Sequence, residues 1–224
     1  MTLVVGVDAT MKGWVAVVAE DGAFVEARAF LTIAELASQL TDVDVIGVDI
    51  PIGLPDSGRR AADVAAREFV GPRRSSVFFT HPLAVIEAPT YADAREIAKQ
   101  RFGTGISAQA YALRNKILEV DAIVESDDRI IEVHPEVSFR ELAGTHLLHS
   151  KRTWNGQMER RRLLADGEIT LPGHLVEAGD IPVDDVLDAA VCAWTAARFA
   201  AGTARSMPDP PEISDAGRPM AIWL

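Results

Sequence analysis

Two short stretches, Val4–Asp8 (VVGVD) and Val45–Asp49 (VIGVD), have nearly the same sequence. Each is a run of β-branched residues and one glycine that ends in aspartate, which is typical of a buried strand covered on both faces. If the two strands are parallel neighbours, both carboxylates lie at the sheet edge where α/β proteins place their sites. We therefore expect Asp8 and Asp49 to lie side by side and to repel each other unless a proton or a cation intervenes. The alternative is that each aspartate only caps a loop.

The remainder of the chain predicts a mixed α/β fold. The first fifty residues indicate the order β-β-β-α-β, with a hairpin turn at Asp21-Gly22 and a helix-capping box formed by Thr32 and Glu35. Further on, the patterns predict helices near 58–70, 91–102, 107–125 and 154–165, a strand near 129–133, a long helix over 184–201, and a terminal hairpin within 211–224. We expect residues 1–224 to form one domain with a helical insertion at about 52–128.

Further acidic residues follow the two aspartates. Glu132 comes late in a β-branched strand, and the segment DDVLD opens the long helix with Asp184, Asp185 and Asp188. Asp184 or Asp185 could cap this helix, with Ser107 a similar cap earlier in the chain. Asp188 lies beyond the capping position, and Asp185 and Asp188 at i and i+3 can present their carboxylates to one point.

Clustered acids suit a hard cation, Mg²⁺ or Mn²⁺. The chain contains one cysteine, Cys192, which rules out an internal disulfide and a cysteine-based zinc site. It contains no Walker phosphate loop, no H-E-x-x-H and no G-x-S-x-G motif. His134 is a candidate metal ligand, substrate contact or general base, although a histidine before proline at a strand end is as often structural.

The charge of the chain restricts its partners. The formal net charge of −11 disfavours nonspecific binding to long polyanions. Positive charge is nevertheless concentrated in residues 57–74, 99–116 and 151–162, which carry +3, +4 and +4. We expect a short or structured nucleic acid, or a nucleotide, as substrate. No signal peptide or apolar run of about 20 residues is present, so we expect a cytoplasmic protein without membrane contact.

Several basic side chains are candidates for phosphate binding. Lys12 follows the first strand, and Lys151 stands in the segment SKRTWNG. Arg59, Arg60 and Arg67 lie in the insertion, which we expect to cap the strand ends and to contact phosphate through these arginines. The alternative for each is ordinary surface charge.

Five segments together resemble a known family: GVDATMKGWVAVV, GVDIPIGLP, IIEVHPEVSF, SKRTWNG and DDVLDAAVCAWTA. They are similar to domain-of-unknown-function family 429, often labelled a predicted ribonuclease H-like nuclease. The resemblance implies a ribonuclease H-like fold, with a mixed five-stranded sheet flanked by helices. It also implies that Asp8 bridges metal ions, that Asp49 is the second ligand and that Asp188 or Asp185 is the helix carboxylate. Glu132 departs from the simplest pattern, being either a family-specific ligand or a partner that orients a basic side chain.

These observations predict a divalent-metal-dependent phosphodiester hydrolase, a nuclease with two ions ~3.5–4 Å apart at the scissile phosphate. Asp8, Asp49, Glu132, Asp185 and Asp188 are the candidate catalytic residues. One alternative is an actin- or sugar-kinase-like phosphotransferase, which would need a Gly/Thr/Ser-rich hairpin after Asp8. Another alternative is a non-catalytic module that binds nucleotide or nucleic acid.

Overall fold

A computed structural model describes residues 1–214 and 217–224. Its main sheet has five strands: β1 (Leu3–Thr10), β2 (Gly13–Glu20), β3 (Ala23–Phe30), β4 (Val45–Val48) and β5 (Ile130–Glu132). Their spatial order is β3-β2-β1-β4-β5. The first three strands pair antiparallel, whereas β4 pairs parallel with both β1 and β5. The predicted β-β-β-α-β start and the parallel pairing of the two repeated strands are therefore confirmed.

Helices connect and cover these strands: α1 (Ile33–Gln39), α2 (Ala61–Val70), α3 (Leu83–Ile86), α4 (Tyr91–Phe102), α5 (Ala108–Ala112), α6 (Arg114–Val124), α7 (Pro135–Ala143), α8 (Trp154–Asp166) and α9 (Val183–Ala200). The segment between β4 and β5 holds α2 to α6 and a 3-10 turn, so it is helical, as expected. A hairpin of β6 (Ser206–Ile213) and β7 (Pro219–Trp223) follows α9, also as predicted; Asp215 and Ala216 of the predicted hairpin lie outside the described residues. Within the described ranges, no helix is long and apolar enough to cross a membrane.

The structure confirms two of the predicted helix N-caps and contradicts a third. Thr32 and Ser107 accept hydrogen bonds from the backbone amides of Glu35 and Ala110, as N-caps should. The single helix predicted over 107–125 is instead two helices that meet at Leu113. The prediction that Asp184 or Asp185 caps α9 is wrong, because the N-cap is Pro182 and both aspartates lie in the first turn. Favourable interaction with the helix dipole explains their position there.

The two faces of the sheet are covered by different helices. Val5 and Val7 point to one side and pack in a core shared with α1 and α6. Val4 and Val45 point to the other side and pack in a core shared with α7, α8 and α9. Because side chains alternate along a strand, Gly6 and Asp8 lie on the α9 side as well.

Paired glycines bring α9 against the sheet. Gly6 and Gly47 are partners in the parallel register of β1 and β4. A Cβ atom on Gly6 would lie 2.0 Å from the carbonyl oxygen of Ala189, and one on Gly47 would lie 2.9 Å from that of Cys192. The backbone of α9 therefore packs directly on these glycines, which explains why the sequence repeats glycine together with aspartate.

Candidate metal centre

Three carboxylates from distant parts of the sequence converge at one point. Asp8 lies near the end of β1, Asp49 follows β4 directly, and Asp188 lies on α9. One oxygen atom from each lies within 4.8 Å of the other two. The amide of Asp49 donates to the carbonyl of Val7 at 2.9 Å, which continues the strand register and sets the two aspartates side by side, as expected. Gly6 and Gly47 bring the third carboxylate to them by admitting α9.

Lys151 supplies the counter-charge in this cluster. It lies just before α8, and its ammonium group donates to Oδ2 of Asp188. Asp8 and Asp188 are only 7% and 2% exposed, so water does little to screen these two carboxylates, whereas Asp49 is half-buried. With one ammonium against three carboxylates, the fully ionised site carries an excess of two negative charges.

Burial and repulsion among the carboxylates shift the pKa values of this site. Burial, followed by the charges of Asp49 and Asp188, raises the pKa of Asp8 well above its ordinary value. Burial also raises the pKa of Asp49 and of Asp188 to about 7, against the opposing effect of Lys151. Burial would lower the pKa of Lys151, but the bonded Asp188 and the nearby carboxylates raise it overall. The site therefore requires protons or a further cation, and an all-oxygen donor set fits a hard divalent ion.

A cavity of about 190 Å³ opens onto the three carboxylates. Its lining includes Asp8, Asp49, Asp188, Lys151, Glu132, His134 and Glu136, and from the insertion Asp63, Ser76, Val77, Phe78, Gln109 and Leu113. The insertion thus forms one wall over the strand ends, as expected. Of the basic side chains predicted to bind phosphate, Lys151 is the one in this lining.

Glu132 lies on the wrong side of its strand to join the three aspartates. Its neighbour Ile131 belongs to the core beneath α9, so alternation directs Glu132 to the opposite face. Oε1 accepts from Arg60 Nη2 at 2.5 Å, and Oε2 accepts from the amide of Ile52 at 2.7 Å. Glu132 is thus not among the carboxylates that meet in the cluster, and its contact with Arg60 fits the second role expected of it, that of orienting a basic side chain.

The arginines of the insertion do not reach the cavity. Arg60 is 2% exposed, bonds to Glu132 and to the carbonyl oxygen of Ile52, and does not line the cavity; the phosphate contact expected of it stays a prediction. Arg59 and Arg67 lie against the ring of Phe79, outside the cavity lining.

Two other candidates also lie outside the cavity lining. Lys12 is exposed in the turn between β1 and β2. Asp185 lies on the first turn of α9, where burial and the charge of Asp184 raise its pKa. Neither belongs to the carboxylate cluster.

Two cavity residues have unsatisfied polar atoms. Nδ1 of His134 is buried and has no hydrogen-bond partner among the described residues, and burial lowers the pKa of His134. Oε1 of Glu136 accepts from Arg160 at 2.6 Å, whereas its Oε2 forms no hydrogen bond within the described chain and has Nε of Arg73 as an ion-pair partner at 3.6 Å. Glu136 was not among the predicted site residues. Its position shortly after β5, which is parallel to the two strands that carry Asp8 and Asp49, is the sequence feature that could have identified it.

A comparison with protein families matches residues 6–213 to "Protein of unknown function (DUF429)". The chain belongs to this family. The match covers most of β1, the strands β2 to β6, the insertion and α9, and so includes all three aspartates and Lys151 of this DUF429 protein. Neither the curated proteins nor the solved structures gave a match.

The raised pKa values predict an unusual pH dependence for the DUF429 protein. In the folded state Asp49 and Asp188 titrate at about 7, against an ordinary value of 3.8. The folded protein then binds more protons than the unfolded chain between about pH 4 and 7. We expect the free energy of unfolding without metal to fall by a few kcal/mol across this window as pH rises.

Urea unfolding in EDTA at a series of pH values measures this effect. Most proteins gain stability from pH 4 to 6 because paired carboxylates ionise. A decrease in the free energy of unfolding over this range would therefore indicate carboxylates with raised pKa values. Asp188→Asn should flatten the profile by removing one of the titrating groups. A wild-type stability that rises throughout the window would contradict the arrangement.

Proposed function

We propose that the protein is a divalent-metal-dependent phosphodiester hydrolase, a nuclease of ribonuclease H-like fold. The observation that carries the proposal is the meeting of Asp8, Asp49 and Asp188 within 4.8 Å in a cavity. The fold supports it through the β-β-β-α-β start, aspartates at the ends of β1 and β4, and an acid on a late helix.

The three aspartates would hold Mg²⁺ or Mn²⁺. When bound, such an ion supplies an activated water and stabilises the charge on the leaving oxygen of a phosphodiester. The buried carboxylates give the donor set, and Lys151 offsets part of their charge beside Asp188. His134 and Glu136 line the same cavity, and each has a buried polar atom without a hydrogen-bond partner among the described residues.

The kinase-like alternative has less support. A phosphotransferase of that kind needs a Gly/Thr/Ser-rich hairpin after Asp8. The turn between β1 and β2 is instead formed by Met11 and Lys12, and Met11 is 99% exposed. Two residues cannot wrap around a chain of phosphates.

A non-catalytic module is the alternative that the Lys151–Asp188 contact favours. An ammonium group beside the carboxylates can neutralise a structural acidic cluster without any metal. The two possibilities differ in what they predict for metal binding, which can be measured directly.

We expect Asp8→Asn to abolish Mn²⁺ binding in isothermal titration calorimetry while the protein remains folded. The variant loses a ligand and also a repulsive charge, so its metal-free melting temperature should stay the same or rise. Asp184→Asn is the matched control, because Asp184 lies on the same helix outside the cavity lining and should leave binding unchanged.

The same proteins are then incubated with labelled single-stranded and hairpin RNA and DNA in Mn²⁺. Cleavage by the wild type and by Asp184→Asn, with none by Asp8→Asn, is the expected result. Metal binding that survives in Asp8→Asn would remove this aspartate from the centre. Metal binding without cleavage of any of the four substrates would favour the non-catalytic module.

A further inference from the structure

A basic groove lies beside the wall of the cavity. It is an open groove of about 620 Å³, and its lining includes Arg59, Arg67, Arg74, Phe79 and Glu68. Three cationic side chains against one carboxylate give the groove a net charge of +2. The whole chain carries −11, so this local excess runs against the overall charge.

Two of these arginines are held in place by an aromatic ring. The guanidinium carbons of Arg59 and Arg67 lie 3.9 Å and 4.6 Å from the ring centroid of Phe79. Arg67 also donates to the carbonyl oxygen of Val77. Stacking on an aromatic face leaves guanidinium N–H groups available for other partners.

The other arginines of the same segment are already paired. Arg60 is bonded to Glu132, and Arg73 lies 3.6 Å from Glu136. In contrast, within residues 1–214 and 217–224, Arg59, Arg67 and Arg74 form no ion pair with a carboxylate. The basic segment is thus divided into two paired arginines that support the cavity and three that face the groove.

The groove and the cavity share a wall. Ser76, Val77 and Phe78 line the cavity, and the next residue, Phe79, lines the groove. Phe78 and Phe79 are consecutive residues, so the cavity and the groove lie next to each other along this segment. Guanidinium groups bind phosphate oxygens in pairs of hydrogen bonds, which makes phosphate the ligand class that fits best.

We infer that the groove binds backbone phosphates of a nucleic-acid strand whose scissile phosphate lies in the cavity. The inference rests on the proposed function, because the metal centre defines where the strand is cut. It makes the substrate a polymer rather than a mononucleotide. Arg59, Arg67 and Arg74 then bind the strand at a distance from the reacting atoms.

The test uses the full chain and a fluorescein-labelled single DNA strand of about 12 nucleotides, within known site sizes. Fluorescence anisotropy is measured in EDTA over a range of salt concentrations, so that no hydrolysis contributes. We expect Arg59→Gln/Arg74→Gln to weaken binding at least about tenfold. A plot of the logarithm of the association constant against the logarithm of the salt concentration has a negative slope. The magnitude of this slope should decrease by about 1.4, since each lost phosphate contact on a single strand contributes about 0.7.

Arg95→Gln/Lys99→Gln is the matched control, because it removes two exposed positive charges from α4, outside the groove and the cavity. Its affinity and slope should equal those of the wild type. Arg59→Lys/Arg74→Lys should keep most of the slope, because both charges remain. Equal melting temperatures of all variants would show that folding is unaffected.

The inference is overturned if the Gln variant binds the strand like the wild type, or if the control loses as much affinity. It is also overturned if AMP or poly-glutamate competes as well as an unlabelled strand. Failure of the catalytic proposal is distinguishable: Asp8→Asn should still bind the strand in EDTA, whatever its activity. Loss of cleavage with intact binding would concern the metal centre alone.

Discussion

Gly6→Ala is expected to destabilise the protein by more than about 4 kcal/mol, or to prevent its folding. The new methyl group would lie 2.0 Å from both the carbonyl oxygen of Ala189 and the amide nitrogen of Ala193. Both atoms belong to the backbone of α9, so no side chain can rotate away. The helix must move off the sheet, which opens the core beneath it and carries Asp188 away from Asp8.

Urea unfolding measures the stability, and Mn²⁺ titration of any folded fraction measures the site. Gly105→Ala is the matched control, because its new methyl group has open space and its backbone needs no positive φ. That variant should be neutral or slightly stabilised. Gly47→Ala should fall between the two, since its nearest contact is 2.9 Å. A Gly6→Ala protein with wild-type stability would contradict the close packing of α9 on β1.

The repeated segments explain why part of the site could be predicted from the sequence. The two strands with the same pattern of apolar residues, glycine and aspartate are parallel neighbours in this protein, and their register places Asp8 next to Asp49. Asp188 could be selected because it lies past the capping positions of a strongly predicted helix. These inferences depend on local periodicity and on the direction of strands, both of which a sequence contains.

Other parts of the site depend on information that local patterns lack. Glu132 is in the expected strand, but the face it points to depends on where a strand of three residues begins. The arginines of residues 57–74 look alike in sequence, yet one is buried, one supports Glu136 and three face a groove. Their roles are set by tertiary partners, since Glu132 and Glu136 lie more than sixty residues further along the chain.

Arg60→Met is expected to cost about 3–5 kcal/mol of stability, the second large effect. Among the described residues, the substitution leaves the buried carboxylate of Glu132 with the amide of Ile52 as its one remaining hydrogen-bond partner. It also removes the donor to the carbonyl oxygen of Ile52. Asp63 is less affected, because it still accepts from the amide of Thr80 at 2.7 Å.

A double-mutant cycle with Glu132→Met separates the pair from its surroundings. If Arg60 and Glu132 interact mainly with each other, the double variant should be more stable than the sum of the single effects predicts, by about 0.5–3 kcal/mol. Recovery is incomplete, because backbone groups at Ile52 and Gly53 lose their partners in the double variant. Arg95→Met, an exposed arginine on α4, should change stability by less than about 0.5 kcal/mol.

The cycle also decides between a structural and a substrate-binding role for Arg60. If Arg60 forms a structural ion pair that supports the loop after β4, Arg60→Met should be less stable, but its folded fraction should bind the strand with unchanged salt dependence. If Arg60 contacts a phosphate directly, Arg60→Met should have nearly normal stability. The magnitude of the salt-dependence slope should then decrease by about 0.7 for a single strand. Because Arg60 is 2% exposed and bonded to Glu132 at 2.5 Å, the first result is expected. The second would mean that this arginine leaves its buried partner to bind the substrate.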